Sequence, residues 1–230
     1  MSPRLHRLAG LLLALPVLLW MGTGLLFHVK HRYAEAYEPL AVPRPPATWA
    51  QARLAPAQVV ARGLLSDGEP LVLLQHPSGR PAWLGLHAGA ARAVDAESGA
   101  PLPLADAATA RGWARAAVAA SAHAQRYGAL EGVAPEEAQL PSALLGGRAL
   151  PAYAFHFSGG KRVTVGRVTG EVAQTGALND FIDASYRVHY LQWTPWRAVN
   201  LGLLALAVGG MLLLAGTGLR LAVGRRPPQR

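Results

Sequence analysis

The sequence predicts a membrane protein in which two transmembrane α-helices flank one extracytoplasmic α+β domain. Three observations carry this expectation: two apolar runs long enough to cross a bilayer, basic charge gathered at the chain ends, and a helix-then-strands pattern that occurs twice in between. Hydrophobic residues make up 51% of the 230 positions, and the two runs hold a large share of them.

The first run, Leu8 to Phe27, has 20 uncharged positions and the second, Ala198 to Leu219, has 22. A hydrocarbon core of about 30 Å takes about 20 helical residues to cross, so both suffice. Arg4 and Arg7 before the first run could also mark a secretory leader. Against that, the run exceeds the usual apolar stretch of a leader, and no small-residue cleavage site precedes the charged stretch His28 to Arg32. Pro16 is compatible with a membrane helix whose freed carbonyl finds another partner.

All 13 acidic residues lie between the runs. Arg4 and Arg7 precede the first run, and Arg220, Arg225, Arg226 and Arg230 follow the second. Basic flanks stay on the cytoplasmic side, so both termini are expected inside the inner membrane and the middle of the chain outside it. The net charge of +9 and pI of 10.8 are then explained by topology and attraction to anionic lipid, and no nucleic-acid partner is expected. Cysteine is absent, which excludes disulfides, thiolate metal sites and a thiol nucleophile.

Between the runs, "EPLAVPRPPATW" (Glu38 to Trp49) has four prolines in 12 residues and reads as an extended linker. "LAPAQVVARGLL" follows as a short helix, then strand-like runs broken by His-Pro-Ser-Gly and Glu-Ser-Gly turns. The pattern recurs. Leu104 to Ala122 is alanine-rich and helical, with Ala107, Ala110, Trp113, Ala114 and Ala117 at helical spacing. Next, "PAYAFHFSGGKRVTVGRVTGEV" places Tyr153, Phe155 and Phe157 on one strand face and turns at Ser158-Gly159-Gly160. Neither half can bury a sufficient core alone, so the two are expected to pack together, leaving an apolar groove between helix and strands that could accept a peptide.

The expected partition is a cytoplasmic N-terminus (1–7), a first span (8–27), a juxtamembrane segment and proline-rich linker (28–49), the α+β domain (50–175), a second juxtamembrane segment (176–197), a second span (198–219) and a basic cytoplasmic tail (220–230).

"AVDAESGAPLPLADAATARG" resembles the end of a PepSY module, where a strand bearing Val-Asp-Ala meets a Ser-Gly turn and an alanine-rich helix. "RVTVGRVTGEV" is similar to a second copy, departing from the pattern at Gly166 and Arg167. "LHRLAGLLLALPVLLWMGTGLLF" and "YRVHYLQWTPWRAVNLGLLALAVGGMLLLAGTGLRLA" resemble the first and last spans of PepSY-associated transmembrane proteins. That family includes four-span ferric-siderophore reductases carrying haem between their helices. The resemblance implies a minimal two-span relative, with b-type haem, a membrane redox partner and a siderophore or ferric ligand as expectations. It equally implies the other habit of PepSY domains, a membrane-tethered regulatory or peptidase-inhibitory module without a cofactor. No nucleotide-binding fingerprint is present, nor is a His-Glu-x-x-His or Gly-x-Ser-x-Gly motif.

The chemistry-bearing residues are histidines. His76, His87, His123 and His156 fall within the soluble-domain pattern and read as structural. His6, His28, His31 and His189 flank the spans, where ionisable groups are costly and tend to be functional, and a neutral imidazole is an iron ligand. The two-span topology puts His28 and His189 on the same side. Gly24, one turn before His28, would let a flat porphyrin approach. His6 lies 22 residues before His28, about 33 Å along a helix, so one haem cannot take both; a homodimer could supply His6 twice, with Gly22, Gly24, Ala205 and Gly209 permitting close helix contact. Against haem stands an interfacial reading in which His28 and His189 simply belong to a belt with Tyr186, Tyr190, Trp193 and Trp196. Both readings fit the sequence.

Overall fold

A computed structural model describes residues 2–46 and 49–223; the side chains of residues 30–32 lie outside the described set, as do residues 224–230 with Arg225, Arg226 and Arg230. The chain forms two compact units, Met1–Glu35 with Leu178–Arg230, and Ala36–Ala177.

The first unit is helical. Helix α1 spans Pro3–Leu26, with Ser2 as its N-cap accepting the Leu5 N–H at 3.3 Å, and 3₁₀ turns carry the chain on through Phe27–Tyr37. The last helix of the fold, Arg197–Val223, answers to the second apolar run. Lengths of about 36 and 40 Å follow from a rise of 1.5 Å per residue. Mean hydropathies of 2.0 and 2.2 for the two apolar helical segments, with no residue of either helix buried, make both long and apolar enough to cross a membrane. The two helices touch where Gly210 faces Leu13; a Cβ on that glycine would lie 3.2 Å from Leu13 Cδ1.

The second unit is α+β. Helix α2 (Pro56–Ala61) precedes an antiparallel sheet of β1 (Val72–Gln75), β2 (Pro81–His87) and β3 (Ala90–Asp95). Helix α3 (Ala107–Ala119) precedes a second antiparallel sheet of β4 (Glu136–Ser142), β5 (Arg148–Phe157), β6 (Lys161–Gly166) and β7 (Val172–Gly176). The predicted helix from Leu104 begins only at Ala107, because Asp106 caps it by accepting the Thr109 N–H at 2.7 Å. The alanine stripe at 110, 114 and 117 is buried and lets α3 lie close on Phe155, Phe157, Val163 and Val165. Another core joins Leu74, Leu84 and Leu86 of the first sheet to Leu145, Leu150 and Val168 of the second half. The halves therefore share one cluster, beside a cluster on each side of it.

Two expectations are corrected. The proline-rich stretch is no free linker: Leu40 and Val42 are buried in the α3 core, Ala41 bridges Glu171, Tyr127 Oη donates to Glu38 at 3.1 Å, and Arg44 donates to the Thr169 carbonyl. Proline removes donors but leaves alternate side chains free to face a core. Among the described residues, the alanine stripe and aromatic side chains fill the space between α3 and its strands, where an apolar groove was expected. An open pocket of about 460 Å³ remains beside α2, lined by Pro56, Val60 and residues 66–69.

The repeat is visible in its turns. Gly99 N–H donates to the Asp95 carbonyl at 2.8 Å, and Gly170 N–H to the Gly166 carbonyl at 2.9 Å, both glycines having positive φ. In the first turn, Asp95 Oδ1 accepts the Glu97 and Ser98 N–H groups and the Ser98 hydroxyl. In the second, where Gly166 has no carboxylate, Glu171 takes that part by accepting Thr169 Oγ1 at 3.0 Å and Ser142 Oγ at 2.5 Å. Burial alone would raise the Asp95 pKa, but the donors from Ser98, Glu97 and Arg80 outweigh it and hold the carboxyl below its usual range. A depressed folded-state pKa stabilises at neutral pH and loses that contribution as pH falls through the carboxylate range. Asp95→Ala should cost about 1–3 kcal/mol at pH 7 and progressively less as pH falls below the usual carboxylate range, read as the difference in thermal unfolding midpoint from the unaltered protein at each pH.

Candidate functional site

Two histidines meet the same partners at opposite ends of α1. The loop after α4 (Ala177–His189) folds back as a Schellman turn: Leu191 N–H donates to the Val188 carbonyl, Gln192 N–H to the Arg187 carbonyl, and Leu191 takes φ 52°. The turn leaves His189 at the end of α4 with its ring over α1, stacked on Trp20 at 5.4 Å between centroids and edge-on to Phe27 at 4.7 Å. A Cβ on Gly24 would lie 3.3 Å from His189 Cε1. Gly24 therefore makes room for the imidazole.

The hydrogen bonds fix the tautomer. His189 Nδ1 lies 3.2 Å from the Trp20 carbonyl oxygen and 3.2 Å from Thr23 Oγ1. A carbonyl only accepts, and the Thr23 hydroxyl already gives its proton to the Leu19 carbonyl at 2.8 Å. Nδ1 must then carry the proton, which leaves the lone pair on Nε2.

At the other end, His6 Nδ1 lies 2.9 Å from Thr217 Oγ1, and Thr217 donates to the Leu213 carbonyl at 2.7 Å. A Cβ on Gly218 would lie 3.4 Å from His6 Cε1. His6 Nδ1 thus pairs with a hydroxyl alone, which can donate or accept, and the pair holds the ring without setting its tautomer. The partners come from one short motif used twice, Gly22-Thr23-Gly24-Leu25 closing α1 and Gly216-Thr217-Gly218-Leu219 in the last turns of α5 (Arg197–Val223). Thr23 and Thr217 escaped the sequence reading, although this repeated Gly-Thr-Gly was a signal that could have found them.

The remaining candidates are not brought together. His28 is exposed and makes no hydrogen bond or ring contact among the described residues; it lies just beyond α1, at the same end as His189. The His31 side chain lies outside the described residues. Among the described residues no group of three or more His, Asp or Glu side chains could hold a metal ion. Within the chain, Gly210, Gly218 and Gly24 make the close contacts, and nothing lies within 4 Å of a Cβ on Gly22 or Gly209.

Of the structural histidines, His76 is buried, with Nδ1 accepting the Ser78 N–H and its ring edge-on to Trp113. Burial foremost, then the Arg44 charge, push its pKa below the ordinary imidazole value. It adds stability above that value that fades as pH falls below it. His156 pairs with Glu136 at 3.2 Å.

For a porphyrin iron, the donor set fits in one respect: each ring is oriented through Nδ1, His189 by a carbonyl and a threonine hydroxyl and His6 by a threonine hydroxyl, as a ligating imidazole is oriented by a second partner. The chain matches no family model, no curated protein and no solved structure.

Proposed function

We propose that this chain is a two-span inner-membrane protein of the PepSY-associated kind that holds b-type haem at the ends of its helix pair and serves electron transfer in ferric iron or siderophore reduction. The observation that carries the reading is the duplicated arrangement of His189 with Thr23 and Gly24, and His6 with Thr217 and Gly218. Anchoring at an interface needs no fixed tautomer and no repeated Gly-Thr-Gly. The basic flanks Arg4, Arg7 and Arg220 support a topology with both termini cytoplasmic and the α+β unit outside. The two helix-then-sheet halves with their equivalent turns support the PepSY likeness.

Haem, when bound, supplies one-electron redox chemistry. The chain's own residues hold and tune it. Thr23 and the Trp20 carbonyl fix the His189 ring, while Trp20 and Phe27 exclude water from its faces. His28 stands at the same end as the second imidazole. His6 has no histidine near the α5 end to join it, so a second copy of the chain supplies the partner, and the open Gly202, Gly209 and Gly216 at seven-residue spacing on α5 suit close helix contact.

The experiment is haem titration of the apoprotein in detergent, followed by absorbance. Thr23→Val and Thr217→Val should each weaken binding about 10- to 100-fold at one site, while Thr23→Ser and Thr217→Ser retain it. Equal affinity in all four variants would refute the proposed role of the threonines.

A further inference from the structure

A second feature of the helical unit has no part in holding imidazoles. Arg187 of α4, Trp193 of the following loop and Arg197 at the start of α5 line an open pocket of about 970 Å³, together with Tyr190, Asn200 and Leu204. Neither arginine forms an ion pair among the described residues, although Asp183 lies one turn before Arg187. Arg197 also opens α5, so its guanidinium adds to the positive end of the helix dipole instead of opposing it. Two unpaired guanidiniums beside a helix N-terminus call for an anion, and a guanidinium matches phosphate oxygens in a bidentate fashion.

The pocket is held in shape without a ligand. Asn200 Oδ1 accepts both the Thr194 N–H at 3.0 Å and its hydroxyl at 2.9 Å, and Asn200 Nδ2 donates to the Thr194 carbonyl at 2.8 Å. This closed ring of bonds ties the Trp193–Pro195 loop to the first turn of α5. The Schellman turn fixes the other wall, at Arg187.

The chemistry of the pocket changes at Leu204. That side chain also lines an apolar crevice of about 140 Å³ between α1 and α5, with Pro16, Trp20, Leu191 and Met211. Leu191 holds a left-handed backbone, which is unfavourable for a side-chain-bearing residue, and its side chain helps form this crevice. A polar compartment with two cations thus adjoins an apolar one at a single residue, and Trp193 and Tyr190, each 55% exposed, stand on the polar side as such rings do at a membrane interface. A soluble anion would use only the first compartment, and an uncharged hydrocarbon only the second.

We infer that Arg187 and Arg197 form a specific site for an anionic phospholipid, with the phosphodiester between the two guanidiniums and one acyl chain running past Leu204 into the α1–α5 crevice. The ligand is recognised by joint charge and tail. Its binding would brace the turn that presents His189, so the inference extends beyond haem binding and does not depend on it.

The test is native mass spectrometry of the full-length protein in non-ionic detergent, titrated with dioleoyl phosphatidylglycerol or with dioleoyl phosphatidylcholine. The glycerol lipid should bind at least about tenfold more tightly, the size expected when two charge-assisted contacts are gained. Arg187→Gln with Arg197→Gln should abolish that preference, and Arg187→Lys with Arg197→Lys should restore part of it, which separates lost charge from lost folding. Leu204→Trp, filling the crevice, should weaken both lipids alike. Glycerol phosphate, which has the anion without the tail, should fail to compete. Equal binding of the two lipids, or a preference that survives the double glutamine variant, would overturn the site; competition by glycerol phosphate at the same concentrations would replace the lipid with a soluble anion and overturn the role of the crevice.

Discussion

On the proposed haem binding, His189→Ala should remove the haem of the His189 end and lower the Soret absorbance of the purified protein by about half or more. The expectation rests on a ring that is oriented rather than merely present. Its Nδ1–H is shared between the Trp20 carbonyl and Thr23 Oγ1, and its position over Gly24 requires that residue to lack a side chain. Gly24→Leu should therefore reproduce the loss while leaving the histidine in the chain, because the new side chain occupies the imidazole's place. His6→Ala should remove the remaining absorbance from the His189→Ala protein. His28→Ala resolves the second ligand: loss equal to that of His189→Ala places both imidazoles on one iron, and an unchanged spectrum assigns the position to another copy of the chain. If His189→Ala and Gly24→Leu both keep the full spectrum, the His189 end holds no haem.

Gly159→Ala strongly destabilises the α+β unit. A Cβ at this position would lie 2.3 Å from the Arg126 carbonyl oxygen and 2.7 Å from that of Tyr127, and these are backbone atoms that no rotamer change can move aside. Gly159 N–H donates to the Tyr127 carbonyl at 2.8 Å, so the approach is part of the design of the β5–β6 turn. Tyr127 beneath it is fully buried against Phe157, and moving its backbone would disturb the α3 core. Such a clash should cost more than about 3 kcal/mol, well above the usual effect of a single substitution, a large part of the marginal stability of a domain of this size. The check is the thermal unfolding midpoint. Gly160→Ala offers a contrast, since nothing lies within 4 Å of its Cβ and only its φ of 73° is unfavourable; it should cost about 1–2 kcal/mol.

The elements that read clearly from sequence are those set by local pattern. Hydropathy alone located α1 and α5, and alanines at 110, 114 and 117 announced the buried face of α3. Residues whose role depends on distant partners were less legible. Leu40 and Val42 alternate as a strand would, but the surrounding prolines masked them as linker, and only the core they enter explains their spacing. Gly24 was noticed for its missing side chain, but its contact with His189 was not legible, because α4 and its turn could not be placed from sequence. Thr23 and Thr217 carry no signal individually; each looks like a back-bonding hydroxyl within a membrane helix. Their meaning emerges only when the same tripeptide is seen beside a histidine at both ends of the molecule.

The central claim, that these imidazoles hold haem, is tested most directly by the absorbance spectrum and iron content of the full-length protein, purified from membranes of cells supplied with a haem precursor. The account predicts a low-spin b-type spectrum, extractable haem and at least about one iron per chain, as bis-imidazole ligation requires. A colourless protein without iron, folded and carrying both His6 and His189, would contradict it.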